Sequence, residues 1–325
     1  MRLKLAVTFA LFFAAAAASA DITGVWTAAA SDSKPGRVHL SVRRDDYWDM
    51  GMGRDLSSLI GLTEAQLHST QMVPVQFELR SEAGNASFDG TFRDGDGAGH
   101  FVFHPDSRYF DTLRSIGVDP EMFSEKHDDD WKLLTLAMLD ISTAYIKSMR
   151  EAGYNEPLKT YVSMRIQGVT LDFVRELREL GFRDVPAREL IALRIHGVTP
   201  DYIRRMRAGG ADPSLRELIS SRIHGATPEF AEAMRRLGYD NLSQNDLVSF
   251  RIHGVSEDFI KDLRQLGYDR VAARDLVSMR IHGVTPEYIR ELQAAGYRDL
   301  PIQKMISLRI HGLDAKTIED LNRMK

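Results

Sequence analysis

Two side-chain types recur at a fixed interval and are the first candidates for chemistry. Histidines stand at His196, His224, His253, His282 and His311. Arginines stand at Arg165, Arg194, Arg222, Arg251, Arg280 and Arg309, spaced by 29, 28, 29, 29 and 29 residues. An imidazole can ligate a metal or move a proton near neutral pH, and a row of guanidiniums can bind anions or an acidic partner. The bland alternatives are stronger for the histidines. Each precedes a helix-ending glycine, where an imidazole can bond free carbonyls and complement the helix dipole. Equivalent side chains in adjacent units would sit near ~10 Å apart, too far to share one ion. Gln167 fills the same slot in the first full unit and cannot shuttle protons. The five histidines are therefore read as structural helix-end residues. The six arginines remain a candidate partner-binding or anion-binding ladder, against the simpler expectation that each pairs with an acid opening the next helix, such as Asp172, Asp201, Glu229, Asp258 or Glu287.

Other constellations offer less. Asp94-Gly95-Asp96-Gly97 resembles part of a calcium loop but lacks the third acidic ligand and the closing Glu, so a hairpin turn is expected. His100 and His104 share one face of a strand, yet four residues there span about 13 Å, which excludes a shared metal. Asp128-Asp129-Asp130 reads as the acidic start of a helix from Trp131. No GxSxG, P-loop, GxGxxG or HExxH is present, and no catalytic, cofactor or metal residue is assigned. Residues 136–325 hold 29 basic and 26 acidic side chains, too balanced for a nucleic-acid footprint.

These residues must be positioned by a scaffold, and the scaffold is legible. The chain has 325 residues, 43% of them hydrophobic, and no cysteine, so disulfides and thiolate sites are excluded. Arg2 and Lys4, the apolar run Leu5 to Ala18, and Ala18-Ser19-Ala20 form the pattern of a cleaved signal peptide over residues 1–20. That predicts a periplasmic or secreted bacterial protein without stable membrane insertion. Residues 21–105 read as a small antiparallel β domain. Ile22 to Thr27, Val38 to Val42, Val75 to Leu79, Phe88 to Phe92 and His100 to His104 are its strands, and a turn over 93–99 closes a hairpin. Residues 55–70 are helical or irregular.

Residues 106–325 read as an α-solenoid of helix pairs repeating every 28 or 29 residues, making the whole chain α+β. In the unit 285–312, Thr285 caps a helix with Pro286 at its first position, and Gly296 ends it so that Tyr297 folds back on Leu292. A second helix runs from Pro301 to Ile310, with Met305, Ile306, Leu308 and Ile310 as its apolar set, and Gly312 ends it. Val284 should likewise close on Met279, Val255 on Phe250, Val198 on Leu193 and Val169 on Met164. In one unit the pair shrinks together to Ala226 and Ser221, and Gly209-Gly210-Ala211 replaces the usual residue-Gly-Tyr. The unit 199–226 is therefore the expected weak seam. The helix from Ala315 is a polar closing cap.

The segment RIHGVTPEYIRELQAAGY, residues 280–297, resembles tandem repeats of exported bacterial proteins, and similar repeats extend some BlaR-type membrane peptidases. The hairpin SFDGTFRDGDGAGHFVFHPD, residues 87–106, is similar to the segment preceding such arrays. The resemblance covers about two thirds of the chain. It implies sensing or partner binding outside the cytoplasm and carries no catalytic residue, since the HExxH of those peptidases is absent. The expected function is an extracytoplasmic protein-interaction or sensor scaffold, whose partner is another protein rather than nucleic acid. The alternative is a hydrolase or carbohydrate-active protein with its site in the β domain or at the domain junction.

Overall fold

The computed structural model describes residues 20–31, 34–45, 48–121, 129–208, 210–314, 316, 317 and 320. The signal-peptide pattern, Asp128, Gly209 and most of the closing helix lie outside them. The chain divides into two compact units, one up to Leu171 and one from Asp172. The change from strand to helix comes between Pro105 and Arg108, so the first helices belong with the sheet.

In the first unit, alternating apolar residues build strands β1 (Ile22–Ala30), β2 (Arg37–Asp45) and β3 (Trp48–Asp55). A 3-10 turn at Leu56–Ser58 and a short helix, α1 (Glu64–Leu67), follow. Strands β4 (Val73–Ser81), β5 (Gly84–Arg93) and β6 (Asp96–Pro105) come next. They form one six-stranded sheet in the order β3-β2-β1-β6-β5-β4, and every pairing between neighbours is antiparallel. One face buries Trp26, Val38, Leu40, Phe77, Phe88, Phe92, Phe101 and Phe103, as a period of two demands. Phe77 stacks on Phe88 at 4.6 Å, and Trp26 meets Phe77 edge-on at 5.2 Å. The expected hairpin is tighter than 93–99. Asp94 and Gly95 alone turn the chain, both at positive φ (52° and 90°), which is the primed turn that suits strand twist.

Strand β3 was not foreseen, because Gly51 and Gly53 weaken its strand signal. The structure explains them by close approach. A Cβ on Gly51 would stand 2.2 Å from the Ser41 hydroxyl on β2.

Helices α2 (Arg108–Ser115), α3 (Asp129–Met138), α4 (Thr143–Glu151) and α5 (Leu158–Ile166) complete this unit. Helix α3 packs on β5 and β6 and buries Leu133, Leu134, Leu136 and Met138.

The second unit is built from helix pairs. First helices are α6 (Leu171–Glu179), α8 (Pro200–Arg207), α10 (Pro228–Arg236), α12 (Glu257–Gln265) and α14 (Pro286–Ala294). Second helices are α7 (Ala187–Ile195), α9 (Leu215–His224), α11 (Gln244–His253), α13 (Ala273–Ile281) and α15 (Ile302–Ile310). Each second helix contacts the second helix of the next pair, α7 with α9, α9 with α11, α11 with α13 and α13 with α15. In the first-helix layer α8 contacts α10, and α12 contacts α14. Helices of eight to ten residues are unstable alone, so this lateral packing is what holds them.

The local devices follow the sequence. The Tyr288 N–H donates to the Thr285 hydroxyl at 3.2 Å, with Pro286 at the helix start. Gly296 has φ 91°, and the Tyr297 N–H returns to the Leu292 carbonyl at 2.9 Å. The apolar set of the second helix is split between core and surface. Met305 and Ile306 are buried, but Ile310 is exposed.

In the pair 199–226 the backbone closure survives, the Ala226 N–H donating to the Ser221 carbonyl at 2.8 Å. The packing does not. Ser221 is fully buried and takes a hydrogen bond from Gln244, also buried, on the next pair. Native-state hydrogen exchange should therefore show opening free energies across residues 200–226 lower by about 1–3 kcal/mol than across 257–283. Equal protection of the two segments would remove the seam.

Candidate partner-binding face of the helical repeats

The last turn of each second helix carries Arg-Ile-His before a glycine, and the three side chains have separate fates. The helix ends at glycines of positive φ: Gly197 (65°), Gly225 (71°), Gly254 (69°), Gly283 (69°) and Gly312 (68°). The next N–H turns back onto the helix, Val198 to Leu193, Val255 to Phe250 and Val284 to Met279, each at 2.8 Å. These closures leave other terminal carbonyls open. The arginine of the following pair covers them. Arg222 Nε donates to the His196 carbonyl and Arg280 Nε to the His253 carbonyl, both at 3.2 Å.

The same guanidiniums lie on an aromatic ring of their own pair's first helix. Arg194 sits over Phe173, Arg222 over Tyr202, Arg251 over Phe230, Arg280 over Phe259 and Arg309 over Tyr288, at 4.8–5.2 Å from the ring centres. A side chain at these glycines would also displace the covering arginine. A Cβ at Gly197 or Gly254 would come within 2.8 or 2.9 Å of the covering guanidinium.

Within the first unit the device recurs on α3. Arg165 lies over Tyr145 at 4.7 Å. It donates to the Leu139 carbonyl at 3.0 Å and to the Asp140 carboxylate at 2.6 Å. Arg54, on β3, reaches the Ala137 and Met138 carbonyls at 2.7 and 2.6 Å. Its burial lowers its pKa, with Asp140 opposing that effect. Burial also raises the Tyr145 hydroxyl to about 12, with Arg165 opposing.

The structure thus gives the arginine ladder an internal geometry different from the expected acid pairs. Of the acids considered for that pairing, Asp172 pairs with Arg175, Glu229 with Arg205 and Glu287 with Arg290. First-helix side chains make a second ladder that the sequence reading overlooked. Arg207 donates to the Leu180 carbonyl at 2.6 Å, Arg264 to the Leu237 carbonyl, and Gln293 to the Leu266 carbonyl at 3.2 Å.

The histidines stand at the helix ends as expected, but the joining group is the backbone carbonyl of His196 and His253. No hydrogen bond of the rings of His196, His224, His253, His282 or His311 is found among the described residues. Nor do three His, Asp or Glu side chains gather into a metal-holding group among those residues. His104, on the β domain, pairs with Asp21 at 2.7 Å. A cleft of about 440 Å³ there is lined by Glu82, Asp106, Arg108, Tyr109 and Thr112. Glu82 accepts the Thr143 hydroxyl at 2.9 Å. The Arg108 side chain holds the Asp106 carboxyl below its usual range, opposite to what a general acid needs.

The isoleucines are the functional candidates that sequence reasoning missed. Ile195, Ile223, Ile252, Ile281 and Ile310 each leave 55–58% of their surface exposed, one on every second helix of the unit. Ile166 in the first unit is placed alike on α5, at 52%. The signal was available. Each isoleucine lies two residues after a position facing the core, such as Leu193, Phe250 or Met279. Residues two apart on a helix point to opposite sides.

Ile281→Ser should therefore change unfolding free energy by less than about 0.5 kcal/mol, whereas Met279→Ala, two residues earlier, should cost about 2–5 kcal/mol. Urea denaturation of both variants checks this. A comparable cost at the two positions would mean that Ile281 supports the fold.

Compared with models of protein families, with curated proteins and with solved structures, the chain matches none.

Proposed function

We propose that the chain is an exported, extracytoplasmic scaffold or sensor that binds another protein along the isoleucine–histidine row of its helical repeats. One observation carries this reading: an exposed apolar residue of unchanged identity stands at the same place in every repeat. Neighbouring exposed positions have not kept theirs. Six residues before the arginine, the second helices carry Arg188, Arg216, Asn245, Arg274 and Gln303, all exposed. A surface with no constraint would lose isoleucine as readily as those positions lost arginine. The flanking imidazoles are left with hydrogen-bonding capacity that a partner can use.

Magnitudes set the kind of contact. Covering the exposed half of one isoleucine contributes about 1 kcal/mol, so five give about 5 kcal/mol. That is close to the lower estimates of the cost of immobilising two proteins, about 4–15 kcal/mol. A useful affinity therefore requires a partner that spans several repeats at once, which is how repeat arrays bind.

A photo-crosslinking residue placed at Ile252 should capture a partner in the extracytoplasmic fraction, and one at Asn245 should not. The double variant Ile252→Asp, Ile281→Asp should keep its helical signal and thermal midpoint while losing that partner. Undiminished capture by the double variant, or a chain found only in the cytoplasm, would contradict the proposal.

A further inference from the structure

The pair 199–226 of the second unit borders a cleft at the place where the other pairs carry an aromatic side chain. In the pairs that follow it, a tyrosine comes after the first-helix glycine and fills a defined slot. The Tyr239 ring meets Phe250 of its own second helix edge-on at 6.1 Å. Its hydroxyl donates to the Val271 carbonyl at 2.9 Å, two residues before the next second helix. The Tyr268 hydroxyl does the same to the Leu300 carbonyl at 3.0 Å. In the pair preceding the seam the equivalent ring is Phe182, and Arg207 of the following pair lies over it at 4.7 Å.

In the pair 199–226 these parts are absent together. Ala211 stands where the aromatic belongs, and Ser221 stands where Phe250 would be. The space remains open as a cleft of about 400 Å³, within the size range of small-molecule sites. Its lining includes Met206, Ala211, Ala231, Leu247, Arg235 and Leu242, and the last two matter most. Leu242 occupies the place of Val271 and Leu300, so its carbonyl is the one a phenol at position 211 would reach. No hydrogen bond to that carbonyl is found among the described residues. Arg235 is the counterpart of Arg207 and Arg264. With Ala211 beneath it there is no ring to lie on, and the carbonyl that corresponds to the acceptors of Arg207 and Arg264 is that of Gly209, outside the described residues.

We propose that this cleft is a binding site for a 4-hydroxyphenyl ring supplied from outside the chain. The ring occupies the vacant slot over Met206, Ala231 and Leu247. Its face receives the Arg235 guanidinium, and its hydroxyl donates to the Leu242 carbonyl. Each of these contacts is made elsewhere in the chain by a built-in residue, the hydroxyl bond by Tyr239 and Tyr268 and the arginine contact by Phe182. The ring can come from a free phenol or from a tyrosine side chain of a partner polypeptide. Binding here is independent of the isoleucine row.

The probes are p-cresol, toluene, which lacks the hydroxyl, and N-acetyltyrosinamide, titrated into the full chain by calorimetry and by the methyl resonance of Met206. One equivalent of p-cresol should bind in the millimolar range or tighter, with toluene at least tenfold weaker and the Met206 methyl shifted. Tighter binding of N-acetyltyrosinamide than of p-cresol points to a polypeptide tyrosine, and the reverse to a free phenol. Ala211→Tyr should abolish binding and raise the thermal midpoint, and Arg235→Met should weaken binding several-fold. The proposal is overturned if p-cresol and N-acetyltyrosinamide both fail to bind the unaltered chain. It is equally overturned if Ala211→Tyr leaves p-cresol binding undiminished.

Discussion

Short helices ended by glycine leave backbone carbonyls without partners, and the repeats depend on how those carbonyls are covered. Each second helix has only nine or ten residues, so its unpaired last turn is a large fraction of its length. For the carbonyls of His196 and His253 the covering group is an arginine from the next pair, held over a ring of its own pair's first helix. One side chain therefore joins two helices of one pair and the end of a helix in the preceding pair. A cation near a helix C-terminus contributes about 0.3–1 kcal/mol and a cation–π contact about 0.5–1 kcal/mol. Neither is large, but the ring contact repeats in every pair of the second unit, and Arg222 and Arg280 add the carbonyl bond. Lysine has no planar face for the ring and no fork for the carbonyl. In the first unit, Arg54 brings the same chemistry from the sheet to α3, with its head group buried and its pKa lowered.

The pair 199–226 shows what happens when packing partners change together. A buried Ser221 would be costly alone. It is tolerated because it donates to the Glu217 carbonyl at 2.7 Å and accepts from Gln244. This polar pair replaces the Phe250-type contact, and Gln244 also lines the cleft beside Ala211. Backbone closure and arginine stacking persist there, with Arg222 over Tyr202 at 4.8 Å. The departures are confined to side-chain packing within an intact backbone device.

Much of this was legible in the sequence because the determinants are local. Capping threonines, N-terminal prolines, terminal glycines and the returning Val or Tyr all act within a few residues. Helix boundaries and closing contacts follow from them. Strand β3 was hidden because its glycines answer to β2, Gly51 to Ser41 and His39 and Gly53 to Arg37, contacts distant in sequence. The arginine ladder was visible as spacing, but its partners were not. Carbonyls carry no sequence signature, and acids at the start of following helices offered a plausible false match. Ile310 is legible in the sequence only as one of the helix's apolar residues, not as an exposed one. Its distance of two residues from Leu308 places it on the other side of the helix, a point that outweighs side-chain type.

The central claim is that Arg280 joins its own pair to the preceding one through the Phe259 ring and the His253 carbonyl. A double-mutant cycle on Arg280→Ala and Phe259→Leu, read by urea unfolding, tests it most directly. The stacked geometry at 5.1 Å predicts a favourable coupling of about 0.5–1 kcal/mol. Arg280→Ala alone should cost more than this, because the carbonyl is uncovered as well. Additive effects of the two substitutions would contradict the account.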